Sequence, residues 1–387
     1  MLKRLLFISL GLLSSAQSLA TTFVIKQDEA SVVGHNMIVY SHQKDTLLDI
    51  GRQFDLGFSD IVDANPGVDP WLPGENTPVV VPTRFIMPNA PHKGIVINIA
   101  ELRLYYFPEN KNGEPRRVIT HPIGIGREGW GTPLGKAKIT QKKKDPTWTP
   151  PESIRKEHLE KGDPLPRVVP AGPDNPLGAY AMRLSMPGYL LHGTDKPYGV
   201  GLRVSHGCIR LFPEDIEHMF YATPSGTPVN IVYQPEKAGV RDGELFLESN
   251  TPHSDIDKRQ GLNMTPMVSA ILTAQDKLPS NAGWAFTEDL VREQTSVVKR
   301  LGEAQHNRAK DVWFVHGGFK KTAVQKVRAA IDELAMSDLF WPVRDGAVGE
   351  TLVGPFNSQE EAQSAATKIT EQSGVTVWVT QISSDAL

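Results

Sequence analysis

The cysteine Cys208, the only one in the chain, lies in a short run of residues that could together carry out acyl transfer. His206 lies two residues before it and His192 lies sixteen residues before it. A thiol with an ordinary pKa of about 8.5 is mostly protonated near neutrality, so a cysteine nucleophile needs an imidazole that accepts its proton or holds it as a thiolate. Both histidines are candidates for that base, and the spacing does not rank them.

The residues next to this cysteine have side chains or backbone groups that suit the same chemistry. Gly207 indicates a tight turn and allows a substrate to approach the backbone closely, so that N–H groups around Gly207 and Cys208 could bind an oxyanion. Arg210 could hold a substrate carboxylate through a bidentate contact. Ser205 could either orient His206 or support the loop. The run therefore predicts a nucleophile, a base and an anion-binding side chain in one place.

Such a site needs a rigid frame, and the surrounding sequence predicts a β structure. An apolar strand, Gly188–Leu191, leads into His192 and would aim its imidazole. Further upstream, Gly94–Asn98 and Arg103–Phe107 alternate as strands do, and Gly and Pro turns separate the later strands. We therefore expect residues 93–234 to form one mainly-β unit.

Length and composition restrict the class of protein. A chain of 387 residues is long enough for several domains. With 40% hydrophobic and 22% charged residues, it is neither wholly disordered nor collagen-like nor a coiled coil. The formal net charge of −3 argues against a nucleic-acid partner held by a basic field.

Residues 1–20 have the three-part layout of a secretory signal. Lys3 and Arg4 precede an apolar run, Leu5–Leu13, and the small-residue ending Ser18–Ala20 predicts cleavage after Ala20. This run is too short to span a bilayer, and no later segment reaches the ~18 consecutive apolar residues of a transmembrane helix. Exported proteins usually pair their cysteines as disulfides, so a solitary thiol favours a catalytic role.

The residues around the thiol resemble a known family. His192–Thr194 followed by Ser205–Arg210 is similar to the signature of the L,D-transpeptidase (YkuD-type) catalytic domain, in the form found in the proteobacterial ErfK/YbiS-like group. The resemblance extends upstream through Gly131–Gly135 and covers about 140 residues. It implies that Cys208 is the nucleophile, that His192 is the general base and that His206 supports the geometry of the site. The residues expected to bind the oxyanion or substrate are Gly193, Thr194, Ser205, Gly207 and Arg210.

The resemblance also implies a reaction. Cys208 would attack the bond between meso-diaminopimelate and the terminal D-Ala of a peptidoglycan tetrapeptide stem, releasing D-Ala and leaving an acyl-enzyme. The acceptor would be the side chain of a second diaminopimelate, which gives a 3→3 cross-link, or the terminal Lys of a murein lipoprotein, or water, which gives carboxypeptidase action. No metal or organic cofactor is needed. A diaminopimelate-type wall and a periplasm imply a Gram-negative source.

A small α+β module is predicted ahead of the β unit, over residues 36–83. Its order is strand, helix, helix, strand, with Asp45 capping the first helix, Ser59 capping the second, and Val79–Val81 in the last strand. This order resembles a LysM module, which implies binding of glycans that contain N-acetylglucosamine.

Residues 309–385 predict the order strand, helix, strand, strand, helix, strand, which is the ferredoxin-like βαββαβ arrangement. The similar runs Val315–Phe319 and Leu352–Phe356 occupy equivalent places in its two halves, so the segment resembles a SPOR domain. That resemblance implies binding to peptide-free glycan strands at the septum. Between the mainly-β unit and this C-terminal segment, residues 235–308 are expected to be a polar connector with an amphipathic helix near Met267–Leu278.

These expectations give a multidomain fold with a mainly-β catalytic centre and two glycan-binding ends. A sortase-like transpeptidase is disfavoured, because the Thr-Leu-x-Thr-Cys strand of that family is absent. A non-catalytic wall-binding scaffold would suit the flanking modules, but the intact set of Cys, His and Arg argues against it.

Overall fold

The computed structural model describes residues 21–26, 31–110, 114–257, 262–275, 279–302, 311–341, 347–348 and 350–383. The predicted signal segment, residues 1–20, lies outside these ranges. Over the ranges that the structure covers, every helix is too short or too polar to cross a bilayer, as the sequence predicted.

Short strands predominate over helices. The strands are β1 (Thr22–Val24), β2 (Val32–Val33), β3 (Asn36–Tyr40), β4 (Pro78–Pro82), β5 (Phe85–Ile86), β6 (Gly94–Asn98), β7 (Arg103–Phe107), β8 (Arg117–Pro122), β9 (Ile125–Gly126), β10 (Gly135–Lys144), β11 (Tyr180–Leu184), β12 (Leu190–His192), β13 (Arg203–Ser205), β14 (Ile209–Arg210), β15 (Pro228–Val232), β16 (Glu236–Arg241), β17 (Glu244–Ser249), β18 (Lys299–Arg300), β19 (Asp311–His316), β20 (Phe340–Trp341), β21 (Leu352–Phe356) and β22 (Trp378–Ser383). The helices are α1 (Leu47–Gln53), α2 (Phe58–Asp63), α3 (Glu152–Glu160), α4 (Pro213–Ala222), α5 (Thr265–Ala274), α6 (Asn281–Glu293), α7 (Lys321–Glu333) and α8 (Gln359–Ser373), with short 3₁₀ turns at Pro197–Gly199 and Ser337–Leu339.

The central unit, residues 93–234, is built on a nine-stranded sheet with the order β1-β8-β7-β6-β15-β10-β11-β12-β14. Most neighbours are antiparallel, and the pairs β6–β15 and β12–β14 are parallel. Apolar side chains from these strands form one buried core. The prediction of a mainly-β central domain is confirmed. One edge strand, β1, comes from outside the predicted range, because Phe23 is buried and its backbone pairs with β8.

The N-terminal unit, residues 36–83, has the predicted order β3-α1-α2-β4. The predicted cap of its first helix was wrong: the Thr46 side chain caps α1 by accepting the N–H of Asp49 at 3.0 Å. The carboxylate of Asp45 instead accepts the indole N–H of Trp378 at 2.9 Å. Asp45 therefore ties this unit to the C-terminal end of the chain.

The second predicted cap was also wrong. Gly57 is the N-cap of α2, and its N–H donates to the carboxylate of Asp60 at 2.8 Å. The Ser59 hydroxyl donates to the backbone carbonyl of Gly201 in the central unit, also at 2.8 Å. Both predicted caps thus serve contacts between units, which the local sequence pattern does not reveal.

The C-terminal unit, residues 311–383, has the predicted order β19-α7-β20-β21-α8-β22. Its sheet does not end at β22: the full order is β20-β21-β19-β22-β3-β4, because Thr380 pairs with Val39 and Gln381 with Ile38. The two ends of the chain therefore share a six-stranded sheet. Each would otherwise leave an edge strand with unpaired backbone groups.

Residues 235–302 are more structured than the predicted connector. Strands β16, β17 and β18 form a sheet, and α5 and α6 pack against it around Leu247, Met267 and Ile271. Helix α5 occupies the amphipathic stretch that the sequence indicated. The prediction missed the hairpin β16–β17, whose buried residues include charged ones such as Lys237 and Glu248 and so look polar in the sequence.

Candidate active site

Two parallel strands bring the predicted residues together. In the pair β12–β14, Leu191 lies opposite Ile209 and His192 lies opposite Arg210. Leu191 and Ile209 are fully buried in the core. Because side chains alternate along a strand, His192 and Arg210 lie on the opposite face, and Cys208, one residue before β14, lies on that face too.

The cysteine follows a tight loop after β13. The Ser205 hydroxyl donates to the carbonyl of Cys208 at 2.6 Å and accepts the N–H of Gly207 at 3.2 Å. Of the two roles considered for Ser205, these contacts serve the loop. They also engage the Gly207 N–H, which was one of the donors expected for an oxyanion.

Gly207 has a backbone conformation that suits glycine. Its φ is +104°, and a Cβ there would lie 3.0 Å from a ring carbon of Tyr189. Thr132 holds the outer side of this turn: its hydroxyl donates to the Gly207 carbonyl at 2.8 Å and accepts the N–H of Gly126 at 3.2 Å. The Gly131–Gly135 segment is thus part of the site.

His192 is held as a neutral imidazole. It is buried, and its Nδ1–H donates to the carbonyl of Gly193 at 2.6 Å, so Nε2 is the unprotonated nitrogen. Burial and the nearby Arg210 guanidinium lower the pKa of His192 to about 3. The imidazole is therefore uncharged throughout the neutral pH range.

Cys208 is held as a thiol. Its Sγ–H points to the carbonyl of Gly188 at 3.6 Å. Burial raises the pKa of Cys208, and a backbone hydrogen bond from Leu190 and the charge of Arg210 offset this only in part. The resting pair is thus thiol and imidazole, not thiolate and imidazolium.

His206 faces a different set of partners. Its Nε2 lies 3.0 Å from Oε2 of Glu157 on α3 and 3.2 Å from Nη2 of Arg127, and its ring packs edge-to-face on Trp130 with centroids 5.0 Å apart. Hydrogen bonds from Arg127, Lys161 and His206 hold the pKa of Glu157 well below its ordinary value. Glu157 is therefore an anion that fixes the His206 ring. Sequence reasoning did not select it, because it lies 49 residues upstream without a motif of its own.

Arg210 carries a buried donor. Its Nε has no hydrogen-bond partner among the described residues, and burial lowers the pKa of its guanidinium. A buried N–H left unpaired is costly, so this group is suited to receive an anionic ligand. After His192, a Cβ on Gly193 would lie 3.1 Å from Ile216, and the Thr194 hydroxyl accepts the N–H of Lys196 at 2.9 Å. These two residues shape the turn that follows His192.

One group elsewhere has the composition of a metal site. Asp55, His121 and Asp215 are buried and offer ligand atoms within 4.8 Å of one another. The Lys320 ammonium contacts Asp55 at 3.3 Å and Asp215 at 3.1 Å, so a cation already balances these carboxylates. His121 is fully buried, and its Nδ1 lies 3.1 Å from Oδ2 of Asp55.

Comparison with known proteins identifies the family. Residues 92–231 match the model of the L,D-transpeptidase catalytic domain, YkuD. The chain is 41% identical over 266 residues to the protein named "Probable L,D-transpeptidase YbiS" of Escherichia coli K12, covering 67% of this chain and 85% of that protein. "Probable L,D-transpeptidase ErfK/SrfK" of the same strain is 38% identical over 275 residues, 68% of this chain and 87% of that protein.

The chain belongs to the L,D-transpeptidase family. As an L,D-transpeptidase it is an acyltransferase, and the predictions of an enzyme and of this reaction class are confirmed. The crystal structure of L,D-transpeptidase 3 from Mycobacterium tuberculosis aligns with 52% of this chain and 92% of that one, with 19% identity and a TM-score of 0.27. The matched region of this L,D-transpeptidase contains Cys208, His192 and Arg210.

Proposed function

We propose that this L,D-transpeptidase is exported to the periplasm of a Gram-negative cell and acts there on peptidoglycan through Cys208. The carrying observation is the pairing of β12 with β14, which puts Cys208, Arg210 and a neutral His192 on one sheet face. The substrate is a tetrapeptide stem, cleaved between meso-diaminopimelate and D-Ala.

The order of proton transfers follows from the resting state, in which Cys208 is a thiol and His192 is a neutral imidazole. The Cys208 thiol gives its proton to Nε2 of His192 as Sγ attacks the carbonyl carbon of diaminopimelate. When the C–N bond breaks, His192 returns that proton to the amine of the departing D-Ala. Sγ and the acyl carbon are then joined as a thioester. An amine attacks this thioester, loses a proton to His192, and the thiol is restored.

The remaining site residues position the substrate and stabilise the oxyanion. Arg210 binds a carboxylate of the stem with its guanidinium, whose Nε has no hydrogen-bond partner among the described residues. The N–H of Cys208 serves the oxyanion, because the Gly207 N–H is already donated to Ser205. His206, fixed by Glu157, supports the wall of the site next to α3. Thr194 and Gly193 keep the turn after His192 in place.

The units at the two ends of the chain bind the enzyme to the glycan strands of peptidoglycan. Residues 36–83, with their βααβ order, are a LysM-like glycan-binding module, and residues 309–385 are a SPOR-like module for peptide-free glycan at the septum. Residues 1–20 are the signal that exports the chain, with cleavage after Ala20. Both module assignments are supported by the order of elements in each unit together with the motifs in the sequence.

The acyl acceptor is the side chain of a second diaminopimelate or the terminal Lys of a murein lipoprotein. To test this, the purified mature protein is incubated with a disaccharide-tetrapeptide, with and without a lipoprotein peptide that ends in Lys. Products are followed by mass spectrometry beside the Cys208→Ala variant. Dimers that have lost D-Ala, formed only with the intact thiol, establish 3→3 cross-linking.

The other outcomes are equally informative. Tripeptide monomers and free D-Ala alone indicate L,D-carboxypeptidase action, and an adduct only with the Lys peptide indicates lipoprotein attachment. If the muropeptide is unchanged with both proteins while the intact protein still sediments with sacculi, the proposal fails in favour of a non-catalytic scaffold.

A further inference from the structure

A second arginine lies on the sheet face that carries the candidate active site. Arg183 in β11 pairs with Leu190 in β12, and the parallel pairing of β12 with β14 places Cys208 next to Leu190. These three residues therefore form one row across three neighbouring strands, and side chains in such a row leave the sheet on the same face. Met182 and Leu184 flank Arg183 along β11 and are buried in the core on the other face.

This row puts the Arg183 guanidinium within reach of a substrate bound at the thiol. Neighbouring strands lie about 4.8 Å apart, so the backbone of Arg183 is roughly 10 Å from that of Cys208. Burial raises the pKa of Cys208, and three groups act in the opposite direction: a backbone hydrogen bond from Leu190 and the charges of Arg210 and Arg183. Both guanidinium groups are thus close enough to the thiol to affect its ionisation.

The Arg183 side chain is exposed and makes no ion pair with any of the described residues. Two other arginines near the site are paired, Arg127 with Glu157 at 2.5 Å and Arg203 with Asp255 at 2.6 Å. A guanidinium binds a carboxylate through two parallel hydrogen bonds when its donors are not already engaged. Arg183 is therefore suited to bind a carboxylate of a ligand that lies on this face.

Arg210 and Arg183 lie in different directions from the thiol. Arg210 follows Cys208 along β14, at roughly 7 Å of backbone, whereas Arg183 lies across the sheet beyond β12. Two carboxylates that diverge from the attacked carbonyl match this arrangement. The stem of the proposed function offers both: D-Ala ends in a carboxylate directly beyond the scissile bond, and the side chain of diaminopimelate ends in a second carboxylate several bonds away.

We propose that Arg183 binds the side-chain carboxylate of the donor diaminopimelate and thereby selects diaminopimelate over lysine at the residue that Cys208 attacks. Lysine differs from diaminopimelate by the absence of this carboxylate. A lysine-containing donor therefore lacks one charge-assisted contact, and the site discriminates against it by the free energy of that contact. Arg210 remains for a carboxylate next to the scissile bond. The inference rests on the proposed function and assigns the residue that recognises the donor.

Three donor tetrapeptides that differ at one residue test the assignment: one with diaminopimelate, one with the side-chain carboxylate of diaminopimelate amidated, and one with lysine. The value of kcat/KM for release of D-Ala reports formation of the acyl-enzyme. We expect the wild type to prefer the first donor by about tenfold, the effect of one charge-assisted contact, and Arg183→Ala to treat all three donors alike. Arg183→Lys should keep part of the preference, because it retains the positive charge.

Lys143→Ala is the matched control, because Lys143 is exposed on the same face but lies one row away, opposite Ala181. It should keep the wild-type preference. An equal loss of preference in Lys143→Ala and Arg183→Ala would overturn the inference, since the general positive charge of this face would then select the donor. An unchanged preference in Arg183→Ala would also overturn it. So would a loss confined to the transfer of the acyl group to an amine, because Arg183 would then bind the acceptor.

Binding of the same peptides to the Cys208→Ala variant separates this inference from the proposed function. If the wild type releases D-Ala from none of the three donors, the proposed function fails, and calorimetric titration of Cys208→Ala still decides the inference. Binding of the diaminopimelate peptide about tenfold tighter than of the lysine peptide, with this difference lost when Arg183→Ala is added, supports it. Equal affinities for the peptides, or no binding of any of them, overturn it.

Discussion

At the scale of single residues, the resting site combines an uncharged imidazole with a protonated thiol. The Nδ1–H of His192 donates to the Gly193 carbonyl, so Nε2 is the nitrogen that can accept a proton. The lowered pKa of His192 keeps the ring uncharged. Burial raises the pKa of Cys208, so little thiolate is present before substrate arrives. The proposed attack must therefore couple proton transfer to bond formation. Because oxidation follows thiolate character, the low fraction of thiolate also protects Cys208 from oxidation.

Alkylation of Cys208 by iodoacetamide reports this protonation state directly, because the chain has no other cysteine. Since only the thiolate reacts and its pKa is raised, the rate should be below that of N-acetylcysteine at pH 7 and should keep rising beyond pH 9. A plateau between pH 6 and 8 would instead show a preformed thiolate–imidazolium pair and would contradict this assignment.

Glu157 offers a second test at this scale. Replacing it with Ala removes the anion that fixes His206 and pairs with Arg127, so we expect kcat to fall about tenfold with a smaller change in KM. Glu157→Gln should restore part of the loss, because its amide can still accept a hydrogen bond. Glu160→Gln, on the exposed end of the same helix, is the control. Equal kinetics for Glu157→Ala and Glu160→Gln would remove Glu157 from the site.

The sequence predicted the compact part of the site and not its distant part. Cys208, His192 and Arg210 lie within nineteen residues on two neighbouring strands, so their types and spacing suffice to associate them. Glu157 reaches His206 only because α3 packs over the site. Nothing local to Glu157 distinguishes it from Glu160.

At the scale of elements, the site depends on loops that hold each other through backbone contacts. The loop before β14 presents the Gly207 carbonyl to Thr132, and Thr132 in turn accepts the N–H of Gly126 in β9. One buried hydroxyl therefore joins three segments. The sequence indicated the Gly131–Gly135 segment through its family resemblance, but not this contact.

Thr132→Val keeps the shape of the side chain and removes the hydroxyl. It leaves the Gly207 carbonyl and the Gly126 N–H unpaired in a buried place, so we expect the free energy of unfolding to fall by about 1–3 kcal/mol. The rate of D-Ala release should fall as well, because the turn before Cys208 loosens. Thr132→Ser should keep both properties near wild type. If Val and Ser variants behave alike in denaturant titration and activity, the hydroxyl does not hold the loop.

Local patterns predicted the elements better than their connections. The order of elements in both end units follows from apolar periodicity, which tertiary contacts did not override. The caps failed, because Asp45 and Ser59 form hydrogen bonds to other units instead of to their own helices. A capping pattern cannot show that a more distant partner competes for the same side chain.

At the scale of the whole molecule, buried charges join three units. Asp55 belongs to the N-terminal unit, His121 and Asp215 to the central unit, and Lys320 to the C-terminal unit. Burial lowers the pKa of His121, but the carboxylates of Asp215 and Asp55 outweigh this and raise it to about 9. The sequence could not predict this cluster, nor the shared sheet in which Thr380 pairs with Val39, because the partners lie hundreds of residues apart.

Removing the ammonium of this cluster should destabilise the protein strongly. Lys320→Met takes the ammonium away from the buried carboxylates of Asp55 and Asp215 and leaves them only protonated His121 of the cations in this cluster, so we expect the free energy of unfolding to fall by about 3–5 kcal/mol in denaturant titration. Lys326→Met, at an exposed position on α7, the helix that Lys320 precedes, should change the free energy of unfolding little. Similar stabilities for the two variants would show that the units are held together by other contacts.

The raised pKa of His121 gives stability a pH dependence with a definite sign. Because the folded-state pKa lies above the unfolded value of 6.5, protonated His121 stabilises the fold fully below pH 6.5, and this contribution is lost as pH rises through about 9. The wild-type Tm should therefore decrease between pH 6.5 and 9. In His121→Gln this part of the decrease should disappear. A Tm profile identical in both proteins would contradict the assignment.

The most direct test of the central claim is the intact mass of the protein after brief mixing with a tetrapeptide stem. If Cys208 is the nucleophile, the mass of the protein increases by the mass of the tetrapeptide stem minus the mass of the free D-Ala that is released. The adduct maps to Cys208, and Cys208→Ala shows none. His192→Ala should form the adduct far more slowly. Release of D-Ala by the Cys208→Ala variant, or an adduct on any other residue, would contradict the account.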